Sequence, residues 1–180
     1  MTTMDSSLDQ HMRAWLAEAL DQSARWRQSK AVDYPEDPRN AKSAAALARA
    51  AAYVRQKEGG GIHLMRELVA ACDETGYDFT SFGLPGEESQ RLAGRYGFDH
   101  DPGLPDDASH DALLRQIFVA SLDDIRDAFD NWDDEVPPDS ALGRLFAEHL
   151  PQRKVAPEPS IVELLTEIRD LLRDRLPDQN

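Results

Sequence analysis

Cysteine is nearly missing from this chain of 180 residues: Cys72 stands alone, so no internal disulfide can form. β-Branched residues are also scarce, with 7 Val, 5 Ile and 5 Thr against 23 Ala and 20 Leu, a balance that favours helix over sheet. No apolar run approaches the roughly 18 residues of a membrane span. The N-terminal MTTMDSSLDQHMRAWL has no basic segment ahead of an apolar one and no small-residue cleavage site, so no secretory signal is expected. Together with the lone thiol, that points to a cytoplasmic location. What the chain does have is 41% hydrophobic residues, too many for a wholly disordered polymer, and a length that suits one core with an appendage.

Basic residues are outnumbered, 20 Lys and Arg against 34 Asp and Glu, giving a formal charge of −14. Residues 1–72 carry 10 basic and 9 acidic side chains, residues 73–149 carry 5 and 19, and residues 150–180 carry 5 and 6. The imbalance therefore belongs to the middle of the chain. Such a field opposes phosphate backbones and anionic lipid, so direct nucleic-acid binding is disfavoured. The balanced N-terminal stretch still offers a local basic face in Arg25, Arg27, Lys30, Arg39 and Lys42.

Apolar residues at three- and four-residue steps from Leu8 to Trp26 predict a first helix over about 7–30, with Ser6 or Ser7 as N-cap. Two prolines interrupt, and Asn40 is placed to cap a second helix over about 41–57. That helix is mostly alanine, and small residues on nearly every side place it centrally in a bundle. Gly59-Gly60-Gly61 stops it, three residues that tolerate positive φ and cost entropy in a helix. A short helix over about 62–75 follows. The loop from Gly76 to Gly86 carries Tyr77, Phe79, Phe82 and Leu84, apolar pegs expected to pack on the core. Pro85-Gly86-Glu87-Glu88 starts a helix to about Tyr96.

After a loop over 97–108, helical spacing returns in Leu113, Leu114, Ile117, Phe118, Leu122, Ile125, Phe129 and Trp132. Ser121-Leu122-Asp123-Asp124 has the form of an N-cap with an acidic first turn, which favours a break near Ala120. Pro137-Pro138 ends the segment, and Asp139 or Ser140 caps a helix to about Leu150. Beyond the Pro157-Glu158-Pro159 linker, Ser160 and Glu163 form a capping box. The helix it opens carries a broad apolar stripe that includes Ile161, Leu165, Ile168 and Leu172, and it needs a partner surface. The expected architecture is an all-α bundle of about six or seven helices over 1–155, then a linker and amphipathic helix over 156–180. Trp15, Trp26 and Trp132 are expected in the core.

The chemistry-bearing patterns are sparse. Asp99, His100, Asp101, Asp106, Asp107, His110 and Asp111 concentrate metal-ligating types, but a calcium-loop register fails: Gly103 falls where a ligand is needed and His110 where a bidentate glutamate belongs. Cys72 sits on an apolar face beside Asp73 and Glu74, the wrong setting for a thiolate nucleophile. No phosphate-binding glycine loop, serine-nucleophile elbow or two-histidine zinc helix occurs, so no cofactor is expected.

His110-Asp111 resembles the signature pair of the HD-type metal phosphohydrolases, an all-helical family using a histidine, a later His-Asp pair and a distant aspartate. The resemblance implies a metal-dependent hydrolase, with His63 first, His110 and Asp111 as the pair, and Asp127 or Asp130 last. It covers a common dipeptide and the helical class only, and the pair here follows a loop instead of lying within an apolar helix.

The favoured expectation is a non-enzymatic binding or regulatory protein. Asp123, Asp127, Asp130 and Asp134 recur along one side of a helix and form an acidic surface suited to a basic protein partner. The stripe of Ile161, Leu165, Ile168 and Leu172 is the second contact, for docking or for self-association through residues 160–176.

Overall fold

The computed structural model describes residues 3–78, 86–98, 106–132 and 135–151. These form six helices and, among the described residues, no strand: α1 (Thr3–Asp33), α2 (Pro38–Gln56), α3 (Gly60–Thr75), α4 (Glu87–Arg95), α5 (Asp106–Asn131) and α6 (Ala141–His149). The all-α bundle is as expected. Among the described residues no helix is long and apolar enough to cross a membrane. The amphipathic segment predicted beyond the Pro-rich linker, with Ile161, Leu165, Ile168 and Leu172, lies outside the described residues, as do Phe79, Phe82 and Leu84.

α1 and α2 form an antiparallel pair joined by Tyr34–Asp37. Met12, Leu16 and Leu20 of α1 are fully buried, together with Leu47, Ala51 and Val54 of α2. The cap of α2 is Asp37, whose side chain accepts from the Arg39 amide at 3.1 Å, and Pro38 fills the first turn where its missing N–H costs nothing. Asn40 is a correction to the sequence expectation. It is buried inside α2, where its Oδ1 accepts from Arg27 Nη1 at 3.1 Å. α1 likewise begins at Thr3, ahead of the serines expected to cap it.

The alanine helix does not occupy the centre. It packs chiefly along α1, while α5 touches α2, α3, α4 and α6. Small residues did permit a close pairing, but centrality requires large apolar residues to be covered from several sides, and those are on α5. Leu113, Leu114, Ile117, Phe118, Leu122 and Ile125 are all at most 3% exposed. Arg13 ties the open end of the pair: it donates to the Val54 and Lys57 carbonyls at 2.7 and 2.8 Å, placing a cation on the carbonyl end of α2. The same guanidinium bonds Asp9 and Glu58, and Arg66 of α3 bonds both acids as well. Burial alone would raise the Asp9 carboxyl, but the bonds from Arg66 and Arg13 outweigh it and hold the group below its ordinary range.

Gly59-Gly60-Gly61 ends one helix and starts the next, for a different reason from the one composition suggests. None of the three has positive φ. At Gly61 a Cβ would meet the Leu114 side chain and the Asp111 carbonyl inside 3 Å, so glycine is what lets α3 approach α5.

α5 is one continuous helix, and the break predicted near Ala120 does not occur. Ser121 is fully buried in mid-helix, and its Oγ lies 3.1 Å from Oγ of the equally buried Ser89 on α4. The serine that looked like a cap is half of a buried hydroxyl pair. Removing one partner strands the other without water, whereas removing both leaves a matched apolar contact. Ser121→Ala is therefore expected to cost about 1–2 kcal/mol in denaturant melts, and the double variant Ser89→Ala/Ser121→Ala to recover most of that loss.

Candidate functional site

The second turn of α5 carries the histidine–aspartate pair. His110 is 3% exposed, with Nδ1 2.7 Å from the Tyr96 hydroxyl and its ring 5.7 Å from that of Tyr53. Asp111 accepts from the Gly61 amide and from Arg115 Nε, both at 2.8 Å, and from the Tyr53 hydroxyl at 3.5 Å. Burial pushes the Asp111 carboxyl up, but those donors outweigh it and leave it below the ordinary aspartate range. The pair thus holds three helices together: α2 through Tyr53, α3 through Gly61 and α5 itself.

The residues implied by the hydrolase resemblance do not converge. His63 is exposed on α3, where its Nδ1 accepts from Arg66 at 3.0 Å. Asp127 stands 16 residues beyond Asp111 on the same continuous helix, about 24 Å along its axis at 1.5 Å per residue. One ion cannot take ligands from both. Among the described residues, no group of three or more His, Cys, Asp or Glu side chains is placed to hold a metal ion. Cys72 is buried, and burial pushes its thiol up to about 12, so it stays protonated at physiological pH.

The acidic row lies on the outer side of α5. Asp127 and Asp130 are exposed, and Asp123, about half exposed, pairs with Arg126 one turn away. Asp134 falls outside the described residues. Asp124 turns off this row toward α4. Its Oδ2 is buried without a hydrogen-bond partner among the described residues. Gly86, the N-cap of α4, has φ +68, and a Cβ there would overlap the Asp124 carboxylate. Glycine is thus required by both backbone and space. Burial, reinforced by the charges of Asp123 and Glu88, holds the Asp124 carboxyl above its ordinary range.

At the same end of α5 the core gives way to exposed aromatic surface. Tyr77, Phe129 and Trp132 form a triangle with ring centroids 5.7–6.0 Å apart. Trp132 is 59% exposed, and Trp26 on α1 is 52% exposed, which corrects the assignment of both to the core. Only Trp15 packs against the interior. Periodicity misplaced Trp132 because the apolar spacing of α5 runs past the elements that cover it. The signal that could have found it is its neighbourhood, Asp130-Asn131-Trp132-Asp133-Asp134-Glu135. No family model, curated protein or solved structure matches this chain.

A carboxyl with a raised folded pKa binds its proton more tightly in the folded chain. Its charge costs stability at neutral pH, and the cost fades as pH falls through the folded value toward the ordinary range of about 3.9. Asp124→Asn is expected to melt above wild type at pH 7. The gap is expected to close by about pH 4 in melts across a pH series.

Proposed function

We propose that this chain is a non-enzymatic protein-binding or regulatory helical protein of the cytoplasm, working without a cofactor. Its contact surface is the acidic C-terminal half of α5, which takes a protein partner with a basic surface. The supporting observation is Trp132. Aspartates at three- and four-residue steps occur on any solvated helix face, but an indole 59% exposed and flanked in sequence by Asp130 and Glu135 does not follow from solvation. Tryptophan leads the residues that dominate interface energies, and an aromatic face with carboxylates around it suits an arginine or lysine through cation–π contact and ion pairing. A second contact is assigned to the stripe of Ile161, Leu165, Ile168 and Leu172, which docks on another copy or another protein.

Partners captured from a native extract on the immobilised full chain are expected to elute as salt rises from about 0.1 M to 1 M, where the screening length falls from about 10 Å to 3 Å. The variant Asp127→Lys/Trp132→Ala is expected to lose them. Partners that stay bound to that variant at high salt would place the contact elsewhere and end the acidic-surface proposal.

Truncation after Val155 is expected to leave a folded domain that no longer self-associates, read by circular dichroism and light scattering. If the truncated chain unfolds, the C-terminal segment is part of the bundle's stability instead of a detachable arm.

A further inference from the structure

A groove of about 750 Å³ runs between α1 and α4, and a volume of that size suits a small ligand. Its lining includes Gln22, Trp26 and Arg27 from α1 with Gln90, Arg91 and Arg95 from α4. Three arginines on one groove are unexpected in a chain of net charge −14. Among the described residues Glu87 is the one carboxylate on the lining, and Arg91 pairs with Glu88 just outside it.

Arg27 is the informative member. It is half-buried, its Nε donates to the Gly94 carbonyl at 2.6 Å and its Nη1 to Asn40 Oδ1 at 3.1 Å. Both acceptors are neutral, and no carboxylate among the described residues forms an ion pair with it. The guanidinium is also held between aromatic faces, with Cζ 4.7 Å from the Trp26 ring centre and 4.6 Å from that of Phe98. Burial draws its pKa down while the charge of Asp37 opposes that shift. A cation that has lost water, is fixed in direction and lacks an ion-pair partner is prepared for an anion supplied from outside. Trp26 beside it, 52% exposed, offers a flat apolar surface, and the amide of Gln22 can donate to or accept from the edge of a ring.

We propose that this groove binds a small anion carrying a flat ring, a phosphate monoester or carboxylate, with the ring against Trp26 and the anionic group on Arg27. The chain's overall negative field admits a singly or doubly charged small molecule far more readily than a polyanion. The site uses none of the residues of the acidic α5 surface and stands or falls separately from it.

Calorimetric titration of the full-length protein with four probes separates the parts: adenosine monophosphate and indole-3-acetate, which carry ring and anion, adenosine, which carries the ring alone, and inorganic phosphate, which carries the anion alone. Either or both ring-bearing anions are expected to saturate at one per chain with Kd near or below about 1 mM, and the other two probes to bind at least about tenfold more weakly. Saturation by adenosine monophosphate alone would identify a phosphate site, and by indole-3-acetate alone a carboxylate site. Trp26→Leu and Arg27→Gln are each expected to weaken binding about tenfold, the equivalent of about 1.4 kcal/mol. Arg27→Gln also removes the bond to Gly94, so the exposed Trp26→Leu, checked by an unchanged melt, isolates binding from folding. Failure of both ring-bearing anions to saturate by about 10 mM overturns the proposal. So does equal binding of inorganic phosphate, which would reduce the groove to a general basic patch, and so does wild-type affinity in Trp26→Leu.

Discussion

The apolar stripe of α5 has to be covered along most of its length, and the remaining helices are arranged by that demand. Six large side chains from Leu113 to Ile125 point inward over about three turns. Each fully buried aliphatic or aromatic side chain contributes about 1.5–3 kcal/mol, so enclosing these six is a large part of what the bundle gains on folding. α3 and α4 close on α5 directly, α6 packs on it after the Pro137-Pro138 turn, and α2 reaches it near Tyr53. The α1–α2 pair is a second unit of packing, built on alanine and leucine and joined to the rest through α3, α4 and α5.

Enclosing α5 this closely forces its polar residues to be matched one by one. Ser121 meets Ser89, His110 meets Tyr96, and Asp111 takes the Gly61 amide that the glycine stretch brings within reach. These are side chains that composition would place in loops or caps, and two of them suggested catalysis. Their surroundings assign them to packing specificity instead, since a buried hydroxyl or imidazole left unmatched costs more than its bond contributes. Asp124 departs from this matching: one of its carboxylate oxygens is buried without a hydrogen-bond partner among the described residues, and its charge acts against folding at neutral pH.

What the sequence made legible was the part that depends on periodicity and punctuation. The extents of α4 and α6 and the buried state of Cys72 follow from three- and four-residue spacing, glycine and proline, and the cap of α6, left between Asp139 and Ser140, is Ser140. Illegible was anything decided by a distant partner. Asn40 looked like a cap because its bond to Arg27 spans 13 residues, and Ser121 looked like a helix start because Ser89 lies 32 residues away. The candidate surfaces divide the same way. The aspartate row could be read from spacing, whereas the exposure of Trp26 and Trp132 depends on where the bundle stops covering them.

Those two tryptophans bear most directly on what the molecule is for. Burying an indole is among the largest favourable contributions one side chain can make to a fold, and this chain has three. It leaves two of them more than half exposed. They also stand in opposite electrostatic settings, Trp26 against the guanidinium of Arg27 and Trp132 within an acidic stretch of sequence. An indole kept at the surface beside charge offers affinity through the ring and selectivity through the charge, which is what the two proposals ask of these places: an anion beside Trp26 and a cation beside Trp132. A net charge of −14 is no obstacle to such a groove: residues 73–149 hold 19 of the 34 acids, yet among the described residues the lining carries three arginines against the one carboxylate of Glu87.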